Sequence, residues 1–546
     1  MMPILSYSKK IPLLGIITLF ILSLFVSAPS YAEKPANTEA FIASIELLKS
    51  KSFKDKSKAL DQLATTKDSR TLNIIEAMLK ARLFYTKADK TVVITVKGSE
   101  GYAITSVLKG DVLGTVEKSK LKKITVNNKL RKKIRALMAS LKLNNPDADV
   151  RLEAVKQMIN NTDEASLTAL KTQLKQEKDE AVKEKITTIL NLDKLSSDDE
   201  AVKLEAISAL ADNLEPEVRS KMEALTASEN KAVASASKKA LQSIDESISF
   251  YENVKTLFFG LSLGSILVLA SIGLAITFGV MGVINMAHGE LIMIGAYTTY
   301  VIQQLMPNHI GLSLAVAVPA AFIISGFVGI LIERLVIRHL YDRPLETLLA
   351  TFGISLILQQ AVRVIFSPLN RSVETPQWMS GSLEINSVLS LTYNRLYIIL
   401  FCLIVFALLY VAMKKTSLGL SVRAVSQNRP MARAMGIRAD RIDALTFGLG
   451  SGIAGVAGVA LSQLTNVGPN LGQAYIIDSF MVVVFGGVGN LWGALISGFT
   501  LGIANKFLEP WAGAVLAKVM ILVFIILFIQ KRPRGLFPQK GRGAGA

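Results

Sequence analysis

Hydrophobic and polar positions divide this chain into two regions. From residue 33 to 250, apolar residues recur at helical spacing among Lys, Glu, Asp, Ser and Ala. Leu152, Val155 and Ile159 fall on one face, as do Leu204, Ile207 and Leu210. From residue 254 the pattern changes to long apolar runs at 254–277, 280–304, 312–332, 345–366, 396–413, 442–465, 474–489, 491–508 and 512–530. Most are long enough for a bilayer core of about 30 Å, although 474–489 and 491–508 are short. The predicted fold is an all-α polytopic membrane domain over 251–531, with about 8–9 helical segments. An exported, mostly helical, repeat-like domain precedes it over 33–250, and a basic tail follows over 532–546.

The export expectation comes from the first residues. Lys9 and Lys10 precede the apolar run Ile11–Val26, and Ser30, Tyr31 and Ala32 supply small residues near a cleavage point. This is a signal-peptide pattern over 1–32, and an uncleaved anchor would export the next region equally. Within that region Val150-Arg-Leu-Glu-Ala-Val155 is echoed by Val202-Lys-Leu-Glu-Ala-Ile207. The period of about 50 residues is near that of helical-hairpin, HEAT-like repeats, with a plain bundle as the alternative. A short β insertion is expected near 91–118, where Val92, Ile94, Val96, Tyr102 and Ile104 alternate. The region holds no His and no Cys, so it offers no metal cluster and no catalytic triad. An interaction or spacing role suits it better than catalysis.

Composition and charge then orient the membrane region. The chain has 546 residues, is 51% hydrophobic and carries a net charge of +18. The excess basic residues gather in loops, which argues for cytoplasmic loops and not for nucleic acid. Arg334, Arg338 and Arg343 follow one run, and Lys414 to Arg441 carries Lys414, Lys415, Arg423, Arg429, Arg433, Arg438 and Arg441. These loops and the tail are placed in the cytoplasm, and 367–395 on the opposite side. Parity then requires an even number of crossings in 474–508, either two spans or a re-entrant hairpin. Gly486, Gly487 and Gly489 would form its hinge. Cys402 lies in an apolar run and reads as a small buried filler. The chain has no phosphate-binding G-x-x-x-x-G-K-[ST] motif, so any ATP hydrolysis belongs to another polypeptide. No catalytic residue, metal or cofactor is indicated.

Polar residues at membrane depth mark a path, because such groups are costly in hydrocarbon. Asn285, His288 and Glu290 lie among Gly279, Gly282 and Gly289. With Thr351 and Gln359 they form the predicted substrate path, the trio lying toward its inner half. In the 414–441 loop a short helix is expected from about Ser426 to Gly436. Pro430 lies near its first turn, and Met431, Ala434 and Met435 make a small apolar face. Such a face suits docking of a cytoplasmic partner.

Several stretches resemble the permease subunits of branched-chain amino acid type ABC importers. They are Gly279-Val-Met-Gly-Val-Ile-Asn-Met-Ala-His-Gly-Glu290, Val422-Arg-Ala-Val with Ala432-Arg-Ala-Met-Gly-Ile437, and Val484-Phe-Gly-Gly-Val-Gly489. Others look like the urea branch of that family: Arg343–Gln360, Asp443–Gly452, Asn466–Gln473, Gly489-Asn-Leu-Trp-Gly493 and Arg532-Pro-Arg-Gly-Leu-Phe537. The resemblance implies a bacterial inner-membrane protein working with a second permease, two cytoplasmic ATPase subunits and a periplasmic binding protein that delivers urea. It also implies a coupling helix seated on an ATPase, carrying Asn428, Ala432, Met435, Gly436 and Ile437. The alternatives are an importer for branched-chain amino acids or a short amide, and a passive urea channel. Urea needs hydrogen-bonding partners but no counter-charge, whereas an amino acid zwitterion wants a buried anion and a buried cation. Arg363 is expected to snorkel to the interface, Asp478 to cap a helix, and Asn505, Lys506 and Glu509 to mark the end of a span.

Overall fold

The computed structural model describes residues 38–537 except 67, 69, 99–100, 160–163 and 342. The signal-peptide pattern and the end of the basic tail lie outside the described residues. The chain separates into two compact units that meet between Leu210 and Ala211.

In the first unit, α1 (Thr38–Leu47), α2 (Phe53–Thr65), α3 (Arg70–Leu79) and α4 (Asn128–Leu143) enclose Phe41, Ile45, Leu60, Leu63, Ile74, Ile75 and Ile134. The Ser52 side chain caps α2 by accepting from Asp55 N. Between α3 and α4 lies an antiparallel sheet of order β4-β3-β2-β1-β5. Its strands are β1 (Leu83–Thr86), β2 (Val92–Gly98), β3 (Gly101–Ser106), β4 (Val112–Val116) and β5 (Leu121–Lys123). The sheet is wider than the expected 91–118. Leu-Phe-Tyr-Thr and Leu-Lys-Lys are too short to show alternation, and pairing with β2 through β1 makes them strands.

The helices α5 (Ala148–Met158), α6 (Glu164–Gln176) and α7 (Glu180–Lys194) pack on Val155, Leu170, Val182, Ile186 and Ile189, and α8 (Glu200–Leu210) follows. The echoed positions share their burial: Ala154 with Ala206, and Val155 with Ile207. Arg151 meets Glu177 in a two-pronged pair, Nε to Oε2 at 2.8 Å and a terminal nitrogen to Oε1 at 2.7 Å. That guanidinium holds the Glu177 carboxyl down to about 2.

The second unit begins with α9 (Pro216–Leu225) and the long α10 (Lys231–Met281), whose later half is apolar. Then come α11 (His288–Leu305), α12 (Ile310–Leu335), α13 (Pro344–Phe366), a hairpin of β6 (Ser382–Glu384) and β7 (Ser390–Thr392), and α14 (Tyr393–Lys415). The remaining helices are α15 (Ser417–Gln427), α16 (Arg429–Ala434), α17 (Ala439–Ser462), α18 (Leu471–Gly486) and α19 (Leu491–Lys531). Among the described residues six helices are long and apolar enough to cross a membrane: α10, α12, α13, α14, α17 and α19. The last is two helices joined at Gly513, whose φ of 77° breaks the helix just after Pro510. Its second half returns along the first, because Phe524 and Phe528 pack on Phe485, beside the start of α19.

Two breaks organise the bundle. Met281 ends α10 with Gly282 at φ 68°, and residues 282–287 turn back along the helix they have just left. The His288 ring then reaches the Ala270 carbonyl, about 16 Å up α10 from its end at 1.5 Å per residue. So α11 starts deep inside the bundle. The trio Asn285, His288 and Glu290 had been expected toward the inner half, after a short turn. They lie deeper because residues 282–287 are non-helical and carry the chain back beside α10 to the level of Ala270. The second break is its counterpart. Residues 463–470 turn back after α17, pinned where Arg371 and Val467 exchange backbone hydrogen bonds of 2.7 and 2.8 Å. There α18 starts, and its Gly472 lies against Gly289 at the start of α11. A Cβ on Gly472 would sit 2.1 Å from the Gly289 carbonyl oxygen, and one on Gly289 2.6 Å from that of Gly472.

The long helices before these breaks meet the same way: Gly273 of α10 and Gly450 of α17 each face the other's carbonyl. Small residues allow this backbone contact, which only an apolar bundle with tight van der Waals packing rewards. The order α10, break, α11, α12, α13 thus recurs, inverted, as α17, break, α18 and the two halves of α19. Discontinuous helices in inverted halves are a design of membrane transporters. The 471–508 region therefore consists of one helix starting inside the bundle and one running to the opposite end.

A buried polar cluster and a candidate translocation face

The start of α11 gathers the residues singled out in the sequence. Along α13, Thr347, Thr351, Ser355 and Gln359 fall one helical step of four apart and are all buried, while Leu349, Ile357 and Val364 on the other face are exposed. This polar stripe faces the first break. Thr351 Oγ1 accepts from Met286 N at 3.1 Å. Ser355 Oγ and Gln359 Nε2 donate to Glu290 Oε1 at 2.9 and 2.7 Å. Glu290 is the third residue of α11, where the helix N-terminus favours a carboxylate. Asn285 Oδ1 accepts from Ala287 N at 3.0 Å, and His288 Nε2 donates to Ala270 O at 2.8 Å. Because Nε2 faces a carbonyl, the ring carries its proton there. Each of the five residues is at most 4% exposed. The structure brings them together, and it encloses them: they fasten the broken helix to α10 and α13.

Other polar residues at comparable depth are open. Gln360 and Gln473 are exposed, and so is Asn470. Arg363 donates to Gln360 Oε1 at 3.2 Å and to Asn470 Oδ1 at 2.9 Å, tying α13 to the start of α18 instead of reaching for the interface. Asp478 lies inside α18, not at its cap, and pairs at 3.0 Å with Lys518 of the second half of α19. Lys506 and Glu509 pair with each other at the far end of the first half. The Lys518 side chain is 50% exposed amid an apolar helix. Lys518 is the one charged residue of the run 512–530 and lies toward its start.

At the basic end, Asn428 caps α16 by accepting from Met431 N, and Pro430 fills the first turn. Gly436 at φ 87° turns the chain out of the helix. Met431 and Met435 are 59% and 77% exposed. Ala432 instead faces inward, on Val425, Ala439 and Ile437. Arg429 grips Asp443 of α17 through two contacts of 2.9 Å and covers the Tyr341 ring at 4.8 Å. The helix α15 before it was not expected from the sequence. At the glycine joint, Gly487 and Gly489 take φ of 100° and 80°. The joint is clasped: Leu536 N and Phe537 N donate to the Phe485 and Gly486 carbonyls, and Asn490 Nδ2 to that of Phe537.

Comparison with known proteins agrees with this membrane unit. The family model described as branched-chain amino acid transport system / permease component matches residues 256–529. The LivH high-affinity branched-chain amino acid transport system permease protein of Salmonella typhimurium is 32% identical, over 52% of this chain and 94% of its own length. The BraD permease protein of the corresponding system of Pseudomonas aeruginosa is 30% identical, over 52% and 96%. A probable branched-chain amino acid transport permease protein of Methanocaldococcus jannaschii is 27% identical, over 50% and 88%. No solved structure matches. These relatives are named for branched-chain amino acids, so the urea preference drawn from the motifs gains no support from them, and the amino acid alternative fits better. These relatives are transport permeases. The chain belongs to the branched-chain amino acid permease family of ABC importers.

Proposed function

We propose that this chain is one of two membrane permeases of an ATP-driven importer for branched-chain amino acids in a bacterial inner membrane. The observation that supports this most is the match over nearly the whole length of the LivH and BraD permeases. In this reading the face formed by α13, α18 and the second half of α19 lines the path against the second permease. The buried cluster of Asn285, His288, Glu290, Thr351 and Gln359 fixes the shape of that face. The basic end is cytoplasmic, and α16 is the coupling helix, presenting Met431 and Met435 to an ATPase subunit. A periplasmic binding protein delivers substrate at the other end. The test is uptake of labelled leucine into vesicles holding the assembled importer. Uptake should require ATP and both ATPase subunits. Downhill leucine or urea flux through this chain alone would overturn the proposal in favour of a channel.

A further inference from the structure

Between α10, α18 and the two halves of α19 lies a cavity of about 200 Å³, whose lining includes Leu263, Leu267, Met481, Leu501 and Ile521. The same lining holds Tyr475 and Asn505 with two ion pairs, Asp478–Lys518 and Lys506–Glu509. We propose that this cavity is a substrate subsite for the amino acid zwitterion, a reading that rests on the importer function above. The ligand carboxylate lies against the ammonium groups of Lys518 and Lys506. Its ammonium lies against the carboxylates of Asp478 and Glu509, and its branched side chain lies on the leucine, isoleucine and methionine wall.

Three observations converge on that assignment. First, the charges balance, two ammonium groups against two carboxylates, which suits a ligand carrying one of each. Second, Asp478 is mostly buried, with 14% of its side chain exposed, while its partner Lys518 is half open to the face assigned to the path. A pair with one buried and one accessible member can open toward an arriving charge. Third, apolar and charged side chains line one small cavity together, the usual composition of a small-molecule site.

The test uses the complete importer in vesicles, with labelled leucine as the probe and ATP hydrolysis stimulated by loaded binding protein as the report of assembly. In Lys518→Met and Asp478→Asn the KM for leucine should rise about tenfold, the loss of one charge-assisted contact. Stimulated ATP hydrolysis should persist. Lys518→Arg should keep most of the uptake. Leu501→Phe, which narrows the apolar side, should raise the KM for leucine more than that for valine. Unchanged leucine KM in Lys518→Met and Asp478→Asn would overturn the subsite while leaving the importer function standing. So would full recovery in the exchanged double variant Asp478→Lys with Lys518→Asp, because only a strut is indifferent to which side holds which charge. Wild-type vesicles that take up no leucine would overturn both proposals.

Discussion

Replacing Arg429 with alanine is the sharpest perturbation of the coupling proposal. Arg429 begins α16 and holds it to α17 through both Asp443 oxygens at 2.9 Å. It also lies over Tyr341, whose hydroxyl donates to Glu333 at 3.2 Å. The Asp443 and Glu333 side chains are 0% and 1% exposed, and Arg429 pairs with the first of these buried acids. Glu333 keeps a longer contact of 3.6 Å with Arg334, whereas Asp443 would be left without a cation. Stranding a buried charge costs about 3–5 kcal/mol, and the partial exposure of Arg429 places the loss near the low end, about 3 kcal/mol. An energy of that size shifts the docked population of α16 about a hundredfold. Measured as leucine imported per ATP hydrolysed, Arg429→Ala should fall sharply while the protein remains in the membrane. Adding Asp443→Asn removes the stranded charge and should recover part of the loss, giving a non-additive cycle. Wild-type coupling in Arg429→Ala, or strict additivity with Asp443→Asn, would refute this account of how α16 is held.

Further outcomes follow from the same geometry. Glu290→Ala removes the acceptor shared by Ser355 and Gln359 and leaves two buried donors unpaired, about 1–3 kcal/mol each; leucine flux should drop, with Glu290→Gln milder, and normal flux in Glu290→Ala would mark the cluster as dispensable packing. Gly487→Ala would place its Cβ 2.7 Å from the Phe537 carbonyl at a φ that disfavours side chains, so the protein should lose thermal stability in detergent, as read by its melting temperature. In the first unit, the Glu177 carboxyl sits below its ordinary 4.5, at about 2, so its stabilisation is complete above pH 4.5 and is lost as pH falls toward 2. Pepsin added to the full-length protein should therefore cut α5–α7 only toward the acidic end of that window, and already near pH 4.5 in Glu177→Gln.

Much of the membrane unit was legible because apolar run length is a strong signal. The runs at 312–332, 345–366 and 396–413 fall within α12, α13 and α14, and 442–465 overlaps α17 up to Ser462. The short helix of the basic loop was legible too, since Asn428, Pro430 and Gly436 each have one dominant backbone role. What run length could not carry was depth. The segment 282–287 is apolar apart from Asn285 whatever path it takes, so the start of α11 deep in the bundle became visible only through the contact of His288 with Ala270. The inverted relation of the two halves was hidden for a similar reason. It rests on glycine contacts such as Gly289 with Gly472, far apart in sequence, and not on shared motifs. Polar residues are costly in an apolar bundle, and the cost can be met by burial among partners, as at Glu290, or by an ion pair left partly open, as at Lys518. Only neighbours distinguish the two.

The central claim is tested most directly by one transport measurement. The importer is assembled in vesicles with its second permease, ATPase subunits and binding protein, and uptake of labelled leucine and labelled urea is followed with and without ATP. ATP-dependent accumulation of leucine, unaffected by excess urea, is the predicted result. ATP-dependent accumulation of urea with none of leucine would contradict it.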